Sequence, residues 1–529
     1  MSAAERTMQQ LWARVLNIEP ESIGLDDSFF RLGGDSIAAM KLVGEASQDG
    51  IRLTIADVFR QPNLSQLVRI CRASNHGVQF IPPFSLIPAH IKEDILSKSN
   101  VFSTGIQPEN VVDILPATYS QQTFITQGID NPRVAFNYLF LDIGPQLDVD
   151  LLRHSCLKLI DHFPIFRTQF AHSQGKLWQA ILRDVGSPFT MFNVKGPIPQ
   201  ESQMIFMRDM EQCHPLGLPT SFILVRNSSK ENRLIIRLSH AQYDGVCLPI
   251  ILGTLVSIYQ QKPLRPAIGF QTYLAHARYQ QTTSGRYWQE LLQGSHLTRA
   301  TTKLCPKMPE ETTPRVVRAE RSIYAPRLPE HLTMASLVSS AWAVVLSIVT
   351  GEEDVVYGHV IAGRNSDISG VTEIVGPCLN VVPVRAFTPS TKTSEDLIRS
   401  VQEQYVSLGQ SDSMGWDEIM QQCTNWPAGS PLDSVFQHQN IDAEFEIHIA
   451  GETTKVQWFN NPFTVPSYLS VWSQPQGNKL KIMIAGNTHI LAAEMADPLL
   501  DMLVEAVKTL SNNLQAPLAS CKSFLPACT

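Results

Sequence analysis

The sequence lacks the features that would indicate a nucleic-acid-binding, secreted or membrane protein. Only 17% of its 529 residues are charged and the net charge is −7, so no basic surface for nucleic acid or anionic lipid is expected. No charged-then-apolar leader opens the chain, and its longest apolar stretch, residues 337–349, is too short and too rich in serine to span a bilayer. A hydrophobic content of 43% predicts an ordinary globular protein without nucleic-acid or membrane partners, in the cytoplasm.

The nine cysteines follow no pairing pattern. Their number is odd and no two are spaced as C-x-x-C, so neither a disulfide framework nor a zinc site is predicted. No cluster of His, Cys, Asp or Glu has the spacing of metal ligands, and no glycine-rich loop of the nucleotide-binding kind is present. We expect reduced thiols, no metal, and no use of ATP by this chain.

Hydrophobic periodicity divides the chain into a small helical unit and a large α/β unit. In residues 1–73, apolar residues recur at helical spacing in four segments, which predicts a small four-helix bundle. Residues 74–111 are rich in proline and turn residues, which predicts a linker with one short helix. Residues 112–529 mix strands and helices without a visible repeat, and are long enough for two lobes, at about 112–285 and 286–529.

The motif L-G-G-D-S, Leu32 to Ser36, precedes an apolar helical run and allows two interpretations. In the simpler one, the glycines form a turn and Asp35 or Ser36 caps the helix. However, the whole unit resembles an acyl or peptidyl carrier domain, and L-G-G-D-S-I matches the attachment motif of that family. The resemblance implies that Ser36 carries 4'-phosphopantetheine, installed by a phosphopantetheinyl transferase. A phosphate on a serine at a helix start would face free N–H groups and the positive end of the helix dipole.

The segment S-H-A-Q-Y-D-G, Ser239 to Gly245, directly follows the strand pattern R-L-I-I-R-L. Side chains at the carboxyl ends of strands face a crevice in α/β folds, so His240 is a candidate for chemistry. Asp244 could hold a tight turn through a buried ion pair or backbone hydrogen bonds, and Gly245 would let the chain turn or approach closely before a helix.

This segment resembles the H-H-x-x-x-D-G signature of the condensation domains of nonribosomal peptide synthetases. The family implies an α/β fold of two lobes, like that of chloramphenicol acetyltransferase, over roughly residues 112 to 515. Five other segments resemble motifs of the family, in its order: Ala117–Phe124, Asp161–Phe170, Phe270–His276, Ile374–Arg385, thought to cross between the lobes, and Asp433–Asn440.

The resemblance assigns roles within the signature. It implies that His240 is the catalytic histidine, and that Ser239 replaces a first histidine that mainly supports the fold, so activity need not be lost. Asp244 is expected to be architectural, as a buried carboxylate paired to an arginine, with Arg385 or Arg167 as the candidates. Gly245 is expected to shape the turn.

Two residues in the later motifs, Asn380 and His438, are candidates for the lining of the substrate tunnel. The alternative, equally compatible with the sequence, is that they are strand residues that satisfy backbone groups.

The form S-H-x-x-x-D-G resembles the terminal condensation-like domains of fungal synthetases, of the fumiquinazoline type, which serve alkaloid biosynthesis. These domains release the peptidyl thioester by intramolecular amide formation, usually as a macrocycle. No G-x-S-x-G pattern of a thioesterase follows before Thr529. Expected partners are upstream synthetase domains and a carrier domain of the same or a neighbouring chain. The alternatives are an ordinary intermolecular condensation domain, an epimerising relative, a thioester hydrolase, and a non-catalytic docking platform.

Overall fold

The fold is described by a computed structural model for residues 1–34, 36–73, 80–97, 107–130, 136–212, 216–227, 229, 231–305, 313–365, 368, 370–427, 429–439, 445–459 and 467–520. The helices are α1 Ala3–Leu16, α2 Ser36–Gln48, α3 Ile55–Arg60, α4 Leu64–Ile70, α5 Ala89–Ser97, α6 Tyr119–Asp130, α7 Val149–His162, α8 Ile198–Gln212, α9 Leu248–Tyr259, α10 Phe270–Leu292, α11 Thr301–Leu304, α12 Met334–Thr350, α13 Ser394–Leu408, α14 Trp416–Cys423 and α15 Ala496–Asn512. The strands are β1 Ile51–Arg52, β2 Arg72–Ala73, β3 Val111–Pro116, β4 Phe136–Ile143, β5 Thr168–Ser173, β6 Lys176–Leu182, β7 Phe189–Val194, β8 Ser221–Asn227, β9 Asn232–Ser239, β10 Val316–Tyr324, β11 Asp354–Ile361, β12 Asn380–Phe387, β13 Ser434–His438, β14 Phe445–Ile449, β15 Glu452–Phe459, β16 Leu469–Gln476 and β17 Lys479–Asn487.

The N-terminal unit is the predicted helical bundle. Helices α1 to α4 enclose one core in which Trp12 and Phe29 are fully buried and meet edge to face, with ring centroids 5.2 Å apart. Helix α1 begins with a capping box, in which Ser2 accepts from the Glu5 N–H and Glu5 accepts from the Ser2 N–H. The amphipathic spacing read from the sequence therefore corresponds to a real buried face.

The first lobe contains a six-stranded mixed sheet in the order β14-β15-β4-β9-β8-β7. Helices α7 and α9 cover one face with a large apolar core, and α8 covers the other face. The central strand β9 is therefore buried on both sides, which explains the apolar run Leu234–Ile236 at its centre. A separate three-stranded sheet, β3-β6-β5, completes this half of the protein.

The second lobe contains a six-stranded sheet in the order β10-β17-β16-β13-β11-β12. Helices α12 and α15 pack on one face, and α10 and α14 pack on the other. Helix α12 starts at a Thr333 cap and ends at Gly351, whose φ of 79° is the left-handed conformation that favours glycine. As the sequence predicted, α12 is a core helix; among the described residues, no helix is both long and apolar enough to cross a bilayer.

The two lobes are not contiguous in sequence, which corrects the assignment of residues 286–529 to one lobe. Strands β14 and β15 leave the second half and join the first sheet, where Val456 of β15 pairs with Leu141 of β4. Without β15, strand β4 would be an open edge, so the pairing satisfies its backbone groups. The segment Ile374–Arg385 does pass between the lobes: its start packs in the first core and β12 forms an edge of the second sheet.

The predicted linker helix is α5, and it is packed against the first lobe. Its residues Ile91 and Ile95 are buried against Val111, Trp178 and Leu182 of the three-stranded sheet. The described part of the segment between the two units thus buries apolar surface of its own.

Candidate functional site

His240 lies one residue beyond the end of β9, in a loop held between two aromatic rings. The imidazole is half-buried and stacks on Phe124 of α6, with centroids 4.6 Å apart and planes 6° apart. On the other side it stacks on Tyr243, at 5.1 Å and 2°. This packing fixes the plane of the ring.

The environment of His240 keeps the imidazole neutral with one nitrogen available. Burial lowers the pKa of His240, an effect opposed by the Tyr243 carbonyl and by Asp244. Nδ1 lies 3.4 Å from the Tyr243 carbonyl oxygen, which can only accept, so this contact requires the proton on Nδ1. Nε2 then carries the lone pair of a general base.

Ser239 supports the turn that presents His240. Its hydroxyl is buried and accepts a hydrogen bond from the Ala241 N–H at 3.1 Å, and its carbonyl accepts from the Gln242 N–H at 2.8 Å. The Gln242 side chain is also buried and donates to the Ile165 carbonyl at 3.0 Å. A serine is therefore sufficient to organise this turn, which agrees with the structural role expected of it.

Asp244 is the buried, paired carboxylate that the sequence predicted, but its partner is Arg364. Both Asp244 oxygens lie within 3.0 Å of Arg364 Nη2, and the two side chains are 3% and 0% exposed. Asp244 also accepts from the N–H groups of Cys247 and Cys378, at 3.0 Å each. The pair thereby ties the His240 loop to the segment that crosses between the lobes.

The two arginines proposed as partners of Asp244 lie elsewhere, so that prediction was wrong. Arg385 pairs with Asp354, with Nη2 2.7 Å from Oδ2, and the pair is about a quarter exposed. Arg167 donates to the Leu182 carbonyl at 2.5 Å. The sequence did contain a signal for Arg364, which follows β11 in A-G-R-N much as His240 follows β9. Gly245 is half-buried in the turn before α9, and its role stays a prediction.

The polar groups of Asn380 are all used within the protein. Its amide nitrogen donates to the carbonyls of Asp412 and Met414, at 2.9 and 2.8 Å, and its oxygen accepts from the Val381 N–H. This arrangement is the backbone-satisfying alternative weighed for Asn380. A role in lining the tunnel stays a prediction.

His438 faces a small cavity at the contact between the carrier unit and the second lobe. The cavity has a volume of about 60 Å³ and is lined by Phe59 of α3, His359, Tyr405 and His438, among others. Burial lowers the pKa of His438 to about 4 and that of His359 to about 3, the latter also because of His438. Both imidazoles are therefore neutral at physiological pH, and His438 Nδ1 lies 2.8 Å from the Ser473 hydroxyl.

Asp412, beside Asn380, predicts a pH dependence of stability. Burial raises its pKa from 3.8 to about 7, so the folded state favours the protonated acid. The contribution of Asp412 to the free energy of unfolding is therefore fully present below pH 4. As the pH rises from about 4 to 7, this contribution is lost, and the free energy of unfolding falls by on the order of 4 kcal/mol. We expect Asp412→Asn to match the wild type in chemical denaturation at pH 4 and to exceed it in stability at pH 8. Equal stability of the two proteins at pH 8 would contradict this.

The carrier unit packs on the same region that holds the His240 loop. Val246 of that loop, Ala362 and Tyr405 pack against the carrier core. Gly44, in the middle of α2, lies so close to Thr372 that a Cβ at residue 44 would come within 2.0 Å of Oγ1 and 2.8 Å of Cγ2. The bundle and the condensation-like unit thus form a close contact within one chain.

Gly44→Ala should weaken this contact without harming the bundle. Alanine favours a helix interior by about 1 kcal/mol over glycine, but here the methyl group overlaps Thr372 and must displace the carrier. We expect product release from substrate loaded on the carrier to slow by about tenfold or more, a cost of roughly 1.4 kcal/mol. Turnover of a soluble pantetheine thioester should not change, and Thr372→Ala should restore part of the loss. The matched control is Gly253→Ala in α9, where a Cβ meets nothing within 4 Å; equal effects of both variants would exclude the contact.

Two glycines shape the loop before α2. The Gly34 N–H donates to the Phe29 carbonyl at 2.9 Å, and a Cβ on Gly34 would lie 2.4 Å from the Phe29 ring, so only glycine suits that position. Gly33 adopts φ +99°. These glycines end the loop directly before the helix that begins at Ser36; Asp35 and the Ser36 side chain lie outside the described residues. The start of this helix offers free N–H groups to the phosphate of a phosphopantetheine group.

Comparison with protein families gives two matches that together span most of the chain. Residues 111–527 match the model of the condensation domain, and residues 6–71 match that of the phosphopantetheine attachment site. 4'-Phosphopantetheine is therefore the cofactor of the N-terminal unit, as predicted.

The chain is similar to fungal nonribosomal peptide synthetases over nearly its whole length. It is 44% identical to nonribosomal peptide synthetase TES of Alternaria alternata and 41% identical to dtxS1 of Metarhizium robertsii, over 97% and 96% of the chain. It is 31% identical to fmqA of Aspergillus fumigatus over 97% of the chain. It spans only 10%, 6% and 13% of these three relatives.

Solved structures with the same fold include one described as holo T3CT. It superposes with a TM-score of 0.71 at 30% identity and covers 82% of this chain and 99% of the other. The starter condensation domain of rhizomide synthetase RzmA has a TM-score of 0.62 at 16% identity, covering 79% and 100%, and shares the fold alone. The predicted order of a helical carrier bundle and a two-lobed α/β unit is confirmed.

Proposed function

Because this chain belongs to the condensation-domain family of nonribosomal peptide synthetases and carries its own phosphopantetheine attachment domain, we propose that it releases a carrier-bound peptidyl thioester by intramolecular amide formation. The family makes it an acyl-transferring enzyme of the ligase type. The product of the proposed reaction is a macrocyclic peptide. Ser36 would hold the phosphopantetheine arm, which would supply the thiol for a peptidyl thioester.

The observation that carries the proposal is the position of His240. Its neutral ring is clamped between Phe124 and Tyr243, with Nδ1 directed at the Tyr243 carbonyl, in the loop whose Val246 contacts the carrier. Nε2 can accept a proton from the α-amino group of the peptide as its nitrogen attacks the thioester carbonyl. The proton then passes to the departing sulfur. Asp244 and Arg364 keep the loop in place. Because water competes for the thioester, the reaction also requires that substrate binding keeps water away from the imidazole.

The proposed reaction requires further proteins and domains. A phosphopantetheinyl transferase modifies Ser36, and upstream synthetase domains deliver the peptide. Contact of the carrier with its own condensation unit, through Gly44 and Thr372, supports transfer within one chain. Six cysteines in the described part of the chain are free thiols, as expected in a reducing cytoplasm: Cys71, Cys156, Cys247, Cys305, Cys378 and Cys423.

An ordinary condensation domain, which joins substrates from two carriers, is the second candidate. It is compatible with the same His240 and Asp244, which both reactions require. The two functions differ in the nucleophile. In cyclising release it is the amine of the same peptide, whereas in ordinary condensation it is the amine of a substrate held on a second carrier domain.

Mass spectrometry of the released product distinguishes these functions. The protein is phosphopantetheinylated at Ser36 with a peptide that has a free α-amino group, and the product is analysed with and without an aminoacyl acceptor. A product one water lighter than the linear acid, formed without acceptor, is the expected result. Linear acid alone would indicate hydrolysis, a product containing the acceptor would indicate ordinary condensation, and no release would indicate a docking role.

A further inference from the structure

Tyr243 has a buried hydroxyl group that finds no hydrogen-bond partner among the described residues. Its side chain is 1% exposed. An unpaired buried polar group costs about 1–3 kcal/mol, so its retention calls for an explanation. Other buried tyrosine hydroxyls in the described part of the chain are all paired: Tyr138 with Asp209, Tyr259 with the Asp148 N–H, Tyr273 with the Cys378 carbonyl and Tyr357 with Ser339.

Asn137 supplies a second buried donor at the same place. It lies on β4 opposite Leu238, next to the strand end that His240 follows. Its amide is close enough to lower the pKa of Tyr243, although burial has the larger effect and raises it. Nevertheless, neither the Asn137 amide nitrogen nor the Tyr243 hydroxyl makes a hydrogen bond of normal geometry with any described residue. The phenol oxygen can itself accept from the Asn137 amide, which leaves the phenol proton without an acceptor among the described residues.

These donors lie beside the candidate catalytic residue. The rings of Tyr243 and His240 are parallel within 2°, with centroids 5.1 Å apart. Trp458, from the crossing strand β15, lies 6.5 Å from Tyr243 on centroids and is half-buried. An acceptor bound to the Tyr243 hydroxyl would therefore lie in the neighbourhood of the imidazole and of the Trp458 ring.

We propose that the Tyr243 hydroxyl, supported by the Asn137 amide, donates a hydrogen bond to the carbonyl oxygen of the thioester on which His240 acts. This assignment rests on the proposed function. As the amine nitrogen forms its bond to the carbonyl carbon, negative charge develops on the oxygen and the donors stabilise it. The C–S bond then breaks, the carbonyl re-forms, and the amine proton passes through His240 to sulfur, giving an amide and a free thiol.

The chemistry of the pair suits this ligand. Both groups are uncharged donors, and the phenol keeps its proton throughout the neutral range because burial opposes its ionisation. Fixed donors in an enclosed site stabilise a developing oxyanion strongly, and removal of one such donor typically costs about 10²–10³-fold in rate. The unpaired state of the free protein is thus the expected form of a site that is completed by substrate.

The test is Tyr243→Phe, which removes one oxygen atom and changes nothing else in shape. With a soluble peptidyl pantetheine thioester bearing a free α-amino group, we expect kcat to fall about 10²-fold while KM is unchanged. Thermal unfolding should show equal or higher stability, because an unpaired group is removed. The matched control is Tyr357→Phe, whose hydroxyl bonds Ser339; it should lose stability and keep kcat. Asn137→Leu should lower kcat in the same direction.

Unchanged kcat in Tyr243→Phe, an effect on KM alone, or lost stability without lost kcat would overturn the assignment. Its failure is distinct from that of the proposed function, which is decided by the mass of the product. A wild type that yields only linear acid, with a slow Tyr243→Phe variant, would support the donor pair and exclude cyclisation. If the wild type forms the cyclic product and Tyr243→Phe is unaffected, cyclisation is supported and the donor role of Tyr243 is excluded.

Discussion

His240→Ala should slow release of the peptide by about 10²–10⁴-fold, the contribution of a well-placed general base, or roughly 3–5 kcal/mol in activation free energy. The physical reason is loss of Nε2, the nitrogen left available when Nδ1 faces the Tyr243 carbonyl. The measurement is single-turnover release from the loaded carrier. His172→Ala, at an exposed histidine on β5, is the matched control and should release at the wild-type rate.

The pH profile should carry the same signature. Burial lowers the pKa of His240, so the imidazole loses its proton at a lower pH than an ordinary histidine does. The wild-type rate should therefore reach its plateau at a lower pH than the ordinary histidine pKa of about 6.5 would give. A rate that rises steeply between pH 6 and 8, or an alanine variant as fast as the wild type, would exclude the general-base role.

Asp244→Ala should destabilise the condensation unit by about 3–5 kcal/mol, because it leaves the Arg364 charge buried without its counter-ion. Arg364 is fully buried and also donates to the carbonyls of Val371 and Ile374, so it cannot turn toward solvent. Loss of the carboxylate further leaves the Cys247 and Cys378 N–H groups without their acceptor. Chemical denaturation is the measurement.

The partly exposed ion pair Asp354–Arg385 is a matched control for this effect. Both of its side chains are 26% exposed, so Asp354→Ala leaves an arginine that water can solvate, and the expected cost is near the 0–1 kcal/mol typical of surface pairs. A double variant, Asp244→Leu with Arg364→Met, should recover much of the stability lost in Asp244→Ala. Equal costs at both pairs would show that the Asp244 site is not electrostatically special.

The sequence allowed the apolar elements and the motif residues to be predicted, because both depend on local patterns. Helices α9 and α12 and strand β9 are buried on most sides, so their apolar runs stand out. Helix α13 also carries a local signal, T-S-E-D, in which Thr393 caps the helix and accepts from the Asp396 N–H. His240 and Ser36 were recognisable because their neighbours carry the motif.

The remainder depends on contacts between distant parts of the chain. Arg364 lies 120 residues from Asp244, and the two arginines weighed from the sequence, Arg385 and Arg167, both pair elsewhere. The pairing of β15 with β4 joins segments more than 300 residues apart, and the sequence of neither strand identifies its partner. The sequence also cannot show that the Tyr243 hydroxyl lacks a hydrogen-bond partner among the described residues, because this depends on which distant residues the fold brings next to it.

Because β14 and β15 belong to the first sheet, they also determine when that sheet can be completed during synthesis on the ribosome. Strand β4 emerges early, pairs with β9, and keeps its other edge open until residues 452–459 have been made. The nascent first lobe must therefore wait, partly formed, for most of the second to be synthesised, a stage at which its open edge invites wrong pairing. For the same reason, a chimera cut between the lobes near residue 290 would give each half a foreign strand partner. Recombination of such enzymes should succeed only when residues 136–143 and 445–459 are exchanged together.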